Sequence, residues 1–293
     1  MAAELLAQEA AARVVFQGAR DVLGLDLAEI CTSGDEATLT RTEVAQPALL
    51  TTSVAWLEVL AERGIRPQTA AGHSLGEFAA WVAAGAMEFG AALRMVQRRG
   101  DLMEAAGAKR PGGMVAVIGL PEEQVDSLCE EARTAGEVVV ANYNSPGQVV
   151  VSGESVALTK IGELVKEAGG KAIPLRVSGA FHSPLMAEAG REFAALVAGA
   201  QLADPVIPVV ANATAEPVTT AVQAREAITR QMTSPVLWAA SVRRMVADGV
   251  ETFLEVGPGQ VLTKLVARIA PEARARAVGR PRELRSLVEE IGA

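Results

Sequence analysis

Thr69-Ala70-Ala71-Gly72-His73-Ser74-Leu75-Gly76-Glu77-Phe78-Ala79-Ala80-Trp81-Val82 passes from a small apolar stretch, through a serine bounded by glycines, into an apolar helical run. That order predicts a strand, a tight turn and a helix, with Ser74 at the apex, as in the nucleophile-elbow pattern G-x-S-x-G. Glycines two positions either side of the serine allow a sharp turn and close packing of strand on helix. A serine there stands at a helix N-terminus, where unpaired N–H groups and the helix dipole favour a developing oxyanion. The same residues also describe a strand-to-helix connection without chemistry, and the motif alone leaves both readings open.

A serine nucleophile needs a base, most often histidine, and the chain has only His73 and His182. His73 adjoins the serine, and neighbouring side chains leaving a strand point to opposite sides, so it is poorly placed to take the Ser74 proton. His182 lies in Ser178-Gly179-Ala180-Phe181-His182-Ser183-Pro184-Leu185-Met186, after a strand-like stretch and before a helical one. A helix-opening serine and one remote histidine are the minimum set for acyl transfer.

Outward from the elbow, residues 41–63 and 90–106 read as helices, the second broken by Pro111-Gly112-Gly113. Strands follow at Met114 to Ile118, Val138 to Asn142, Gln148 to Ser152 and Ala172 to Val177, with helices at Glu122 to Arg133 and Val156 to Ala168. The order βαββαβ is the ferredoxin-like arrangement, with Asn144-Ser145-Pro146-Gly147 as a turn. Apolar strands at Ile207 to Ala211 and Thr252 to Val256 return the chain to longer α/β units. The pattern predicts an α/β protein: an α/β-hydrolase-like, parallel-sheet large domain over 1–111 and 179–293, and a ferredoxin-like small domain inserted over 112–178. The active site is expected in the cleft between them.

Half of the 293 residues are hydrophobic, enough for a sizeable core. No apolar run reads as a membrane span and the N-terminus carries charge where a signal peptide would be apolar, so a cytoplasmic protein with no membrane partner is expected. Cys31 and Cys129 are too few and too far apart for a disulfide framework, and with two histidines no metal site is expected. A net charge of −8 argues against nucleic acid. Two basic runs, Arg94, Arg98, Lys109 and Arg110, and Arg268 to Arg285, are solvated faces or docking fields for an acidic partner.

GHSLGE at 72–77, Arg99-Gly100, NSPGQVVVSG at 144–153, GAFHSPLM at 179–186, SPVLW at 234–238 and EVGPGQVL at 255–262 stand in the order found in malonyl-CoA:acyl carrier protein transacylases. The chain resembles that family, and the acyltransferase domains of polyketide synthases, from about residue 4 onward. The resemblance implies ping-pong transfer of malonyl from malonyl-CoA to the phosphopantetheine thiol of an acyl carrier protein, through an acyl-Ser74 intermediate and without a cofactor. His182 would be the base, its imidazole oriented by the backbone carbonyl of Gln231, and the Leu75 N–H would hold the oxyanion. Arg99 would bind the free carboxylate of malonate by two parallel hydrogen bonds. On residue type alone it is a surface arginine paired with Arg98. Phe181 before the histidine and Leu75 after the serine go with malonyl rather than methylmalonyl. His73 and Asn144 fall on the substrate side, although Asn144 also suits a plain turn. Gly257-Pro258-Gly259 lacks the lysine-serine sequel of a phosphate loop and reads as a turn.

One departure stands out. The family begins with a hydrophobic strand and an FPGQGSQ-like loop that helps form the oxyanion hole, whereas Met1 to Ala7 resembles the helix after it. An internal start at Met1 or a lost strand is expected, with a gap in the sheet and a loss of about 100- to 1000-fold in turnover if one oxyanion donor is missing. Alternatives are an acyl-carrier-protein acyl hydrolase of the same fold, against which Arg99 counts, and a truncated non-catalytic carrier-binding module.

Overall fold

The computed structural model describes residues 2–292; Met1, the expected internal start, and Ala293 lie outside the described residues. The chain opens with α1 (Ala3–Gln8), α2 (Ala10–Leu23), α3 (Leu27–Ser33), α4 (Glu36–Thr40) and the long α5 (Thr42–Glu62). In α2, Ala12, Val15, Phe16 and Ala19 make one buried stripe, and Gly24 ends the helix in the left-handed conformation. The 21-residue α5 is instead buried on most sides, between α2 and the later helix Phe89–Lys109. Contrary to the sequence expectation, it is long and apolar enough to cross a membrane by length and composition. Its place in the core, with Trp56, Val59 and Leu60 buried, accounts for that apolarity.

Next come β1 (Ala70–Ala71), α6 (Gly76–Ala83) and α7 (Phe89–Lys109). Glu88 starts α7 by accepting the Gly90 and Ala91 N–H groups. A Cβ on Gly100 would come within 2.9 Å of Glu43 Cα, so this glycine lets α7 lie close on α5. Then follow β2 (Gly112–Ile118), α8 (Glu122–Ala132), β3 (Val138–Ser145), β4 (Gln148–Glu154), α9 (Ser155–Glu167) and β5 (Lys171–Pro174). The four strands form a sheet ordered β3-β4-β2-β5, every pair antiparallel. Val117, Val138, Val149 and Val151 pack against Val125 of α8 and Ile161 and Val165 of α9 as a separate core. Two sequence expectations are corrected. β5 ends before Val177, whose N–H turns back onto Leu175 O at 3.0 Å. β3 runs through Asn144 to Ser145, leaving the turn to Pro146 and Gly147, with Gly147 at φ 69°.

The remaining elements are α10 (Ala187–Ala198), β6 (Val209–Val210), β7 (Pro217–Val218), α11 (Ala221–Gln231), α12 (Trp238–Ala247), β8 (Thr252–Val256), α13 (Val261–Ile269), β9 (Arg274–Val278) and α14 (Pro281–Gly292). The molecule is an α/β fold. The parallel pairing expected in the large domain occurs in two separate pieces: β1 pairs parallel with β6, which pairs antiparallel with β7, while β8 and β9 form a second, parallel pair. The strand expected at Ile207 to Ala211 shrinks to Val209–Val210. A cavity of about 290 Å³ is lined by Leu50 and Ser53 of α5, Leu75, Gly76 of α6, and Val256 of β8. The four-stranded unit is tied to the rest by β3, where Tyr143 N–H donates to Val236 O at 3.0 Å and Val236 N–H to Ala141 O at 2.8 Å. Phe78, Trp81, Leu93, Phe193 and Ile228 fill the main core around the site.

Candidate active site

The turn after β1 is built on Gly72. A Cβ there would sit 2.0 Å from the Gly76 carbonyl, a contact that no side chain permits. Gly76 has open space around its Cβ position, so only one of the two motif glycines is sterically required. Ser74 takes φ 50°, a conformation that L residues avoid unless neighbours fix it. Its N–H donates to Asn212 Oδ1 at 2.7 Å and its carbonyl accepts from Gln231 Nε2 at 2.8 Å. Leu75 is the residue before α6, and among the described residues its N–H makes no hydrogen bond.

His182, 4% exposed and also in a left-handed conformation at φ 56°, stands 2.7 Å from Ser74 Oγ through Nε2. Its Nδ1 meets two carbonyls, Gln231 O at 3.0 Å and Ser234 O at 3.1 Å. Carbonyls only accept, so the proton is on Nδ1 and the Nε2 lone pair receives the Ser74 hydroxyl. Burial, then the Arg99 and His73 charges, push the His182 pKa down to about 3 against the raising effect of the two carbonyls. The imidazole is therefore neutral at neutral pH and able to take a proton. His73 turns elsewhere: Nε2 meets Asn144 Oδ1 at 2.8 Å, and its ring lies 5.7 Å from that of Trp238. Burial lowers its pKa. His73, Asn144 and Gln148 line the 290 Å³ cavity together with Gly257 and Pro258, where Gly257 at φ 123° and Gly259 at φ 102° turn the chain toward α13.

Arg99 and Arg98 part company. Arg98 reaches the surface and pairs with Glu192 at 3.3 Å. Arg99 is 1% exposed, its guanidinium carbon 5.9 Å from the centre of the Phe78 ring. It donates Nη2 to Ser74 Oγ at 3.1 Å, Nη1 to Gln46 Oε1 at 2.7 Å and Nε to Gln231 Oε1 at 3.2 Å. No carboxylate among the described residues comes within ion-pair distance of it. Burial lowers its pKa to about 10, opposed by the charge of Glu77. A buried cation with neutral partners is costly, and its Nη2 edge is turned to the serine.

Phe181 is buried beside His182, close over Gly179, and Leu185 and Met186 are buried after it. Among the residues of the basic runs, Lys109 pairs with Glu188, Arg110 with Glu154 and Arg276 with Glu290 on exposed faces. Among the described residues no group of three or more His, Cys, Asp or Glu is placed to hold a metal ion.

Four polar groups at the site were not singled out from the sequence: Gln46, Glu77, Asn212 and the Gln231 side chain, all buried. Glu77 accepts the Asn212 N–H at 3.0 Å and Gln231 Nε2 at 2.6 Å. Asn212 Nδ2 donates to Gly72 O at 2.6 Å. Three of them had a faint signal. Gln46 interrupts an apolar helix face, Asn212 closely follows β6, and Glu77 opens a helix whose other residues are apolar.

Similarity to known proteins extends over nearly the whole chain. The acyl transferase domain family matches residues 1–285. The chain is 39% identical over 293 residues to the malonyl CoA-acyl carrier protein transacylase of Bacillus subtilis strain 168, covering 99% of this chain and 92% of that protein. An acyl carrier protein S-malonyltransferase from Vibrio cholerae superposes with a TM-score of 0.94 at 40% identity, covering 98% of this chain and 94% of that one. A malonyl-transacylase solved in complex with its holo type II polyketide acyl-carrier protein superposes with a TM-score of 0.95 at 39% identity, covering 99% and 94%.

Proposed function

This chain belongs to the acyl transferase domain family, and from that membership we propose that it transfers malonyl from malonyl-CoA to the phosphopantetheine thiol of an acyl carrier protein through a malonyl-Ser74 ester. The observation that carries the acyl specificity is Arg99: a buried guanidinium with no carboxylate partner among the described residues, bonded to the nucleophile's own oxygen. An acyl group ending in a carboxylate supplies the missing anion, whereas a monocarboxylic acyl chain leaves the buried charge unpaired.

In the proposed mechanism His182 Nε2 takes the Ser74 proton as Oγ bonds the thioester carbonyl carbon, and the Leu75 N–H donates to the oxyanion. The carbon–sulfur bond then breaks, and coenzyme A leaves with the proton from His182. In the second half the carrier thiol gives its proton to His182 and attacks the ester, and Ser74 leaves with that proton. The Gln231 and Ser234 carbonyls hold the imidazole tautomer through both halves. Arg99 holds the malonyl carboxylate while Phe181 and Leu75 limit branching next to it, and His73 and Asn144 border the substrate's approach. The steps as written draw on these side chains and backbone groups and use no cofactor.

The same reading takes the four-stranded unit, residues 112–178, as a ferredoxin-like insertion in an α/β-hydrolase-like large domain formed by 1–111 and 179–293; the βαββαβ order and strand order β3-β4-β2-β5 support it. It places the protein in the cytoplasm. Intact-protein mass spectrometry after mixing with malonyl-CoA tests the function: a single malonyl adduct on the Ser74 peptide, discharged by holo acyl carrier protein, is expected. Absence of the adduct in folded protein overturns it, and discharge to water alone favours a hydrolase.

A further inference from the structure

The strained backbones of Ser74 and His182 need external support, and the groups that supply it converge on one side chain that touches no reacting atom. Glu77, 1% exposed, accepts the Asn212 N–H on Oε1 and the Gln231 amide on Oε2. Asn212 in turn accepts the Ser74 N–H and donates to Gly72 O. Gln231 donates to Ser74 O, accepts from Arg99 Nε through Oε1, and accepts from His182 Nδ1 through its backbone carbonyl. We infer that Glu77 is a positioning residue for acyl transfer, its carboxylate fixing Asn212 and the Gln231 amide and through them aligning Ser74 with His182. The inference rests on the reading of Ser74 as the nucleophile.

The chemistry of position 77 follows from its partners, both of which are donors. A carboxylate accepts on both oxygens, so Gln231 must turn its NH₂ to Glu77 and its Oε1 to Arg99. An amide of the same size could satisfy one donor only and would set its own NH₂ against the other. A protonated carboxyl has the same fault. Burial pushes the Glu77 carboxyl up to about 7, opposed by the bonds from Asn212 and Gln231 and by the Arg99 charge. Arg99 on α7 is the charged group that acts on it, while Asn212 and Gln231 are neutral. His182, at about 3, is uncharged over the same interval, and burial shifts His73 below the ordinary imidazole value. Falling pH should therefore protonate Glu77 near neutrality and loosen the alignment while His182 is still a competent base.

A fluorophosphonate tests this without relying on malonyl recognition: Ser74 Oγ bonds phosphorus, fluoride leaves and His182 takes the hydroxyl proton. The labelling rate of the full wild-type chain is expected to fall about tenfold between pH 8 and pH 6, the drop for a group needed in its charged form with a pKa near 7. Glu77→Gln is expected to label at least about tenfold more slowly at pH 8, with no dependence on pH over that interval and with circular dichroism unchanged. Glu77→Asp should recover part of both the rate and the pH dependence. A flat wild-type profile, or folded Glu77→Gln labelling at the wild-type rate, overturns the inference. If Glu77→Gln does not fold, the wild-type profile decides. Folded wild-type protein that takes no label overturns both the nucleophile and the inference, whereas labelling with the expected profile but no reaction with malonyl-CoA supports the inference and overturns only the acyl specificity.

Discussion

Arg99 and Ser74, twenty-five residues apart in sequence, share a 3.1 Å hydrogen bond in which a fully enclosed guanidinium donates to the nucleophile's hydroxyl. The cation thus sits where an ester formed on Ser74 must pass it. Arg99→Ala is expected to lower kcat/KM for malonyl-CoA by about 100- to 1000-fold more than for acetyl-CoA, the scale of a buried charge pair lost. Measured specificity constants for the two donors check this; an equal fall in both makes Arg99 structural.

Ser74→Ala should abolish the malonyl adduct outright. His182→Ala keeps the nucleophile but removes the ring nitrogen 2.7 Å from its hydroxyl oxygen, and its acylation rate should fall by about 100- to 10,000-fold. Rapid-quench mass spectrometry of both variants reads the two effects, and an adduct on Ser74→Ala would refute the nucleophile.

The two motif glycines should behave oppositely. At Gly72 an added methyl collides with backbone at 2.0 Å, so Gly72→Ala should cost more than about 4 kcal/mol or prevent folding. At Gly76, the first residue of α6, with open space, alanine should leave stability equal or raise it by up to about 1 kcal/mol. Urea denaturation midpoints distinguish them.

Acid should destabilise the fold through its histidines. His182, neutral at a folded pKa of about 3 against 6.5 for the free group, leaves the unfolded chain binding the extra proton below about pH 6.5. Stability from this group is fully present above pH 6.5 and is lost as the pH falls toward 3; His73, also lowered, acts in the same direction. Glu77 has the opposite sign, its contribution being greatest below about 4.5 and lost as the pH rises through about 7. Below pH 4.5 the histidine effect continues, joined by Asp35 and Glu188, whose carboxyls are held below the ordinary value by the Thr38 N–H and by Lys109. The urea midpoint should fall between pH 4.5 and 3, and less steeply in His182→Gln.

The sequence carried the elbow, the βαββαβ alternation and the long helices because each is a local pattern. Strand, turn and helix at 70–83 are fixed by small residues and Gly72, and the strands of the small unit by valine-rich runs bounded by turns. The Ser74–His182 meeting could be anticipated because two histidines leave little choice. The strand pairing of the rest could not: β1, β6 and β7 have two residues each, too short for a periodic signal, and register between distant strands has no local trace. Nor could Glu77, Asn212 and Gln46 be separated from ordinary polar residues, since burial of a polar side chain depends on partners far along the chain. Asn144 was drawn toward the turn by Pro146-Gly147, although its amide faces His73 within the strand.

The stitch between Tyr143, Ala141 and Val236 has a bearing on traffic into the site. Two backbone bonds there, joined by the His73–Asn144 contact, span the four-stranded unit and the elbow side of the molecule. Swinging the two apart like jaws would sever all three at once and bare Asn144, which is buried. Any ligand that reaches the cavity lined by His73, Leu75 and Asn144 with these three bonds intact must fit the space that the closed arrangement leaves.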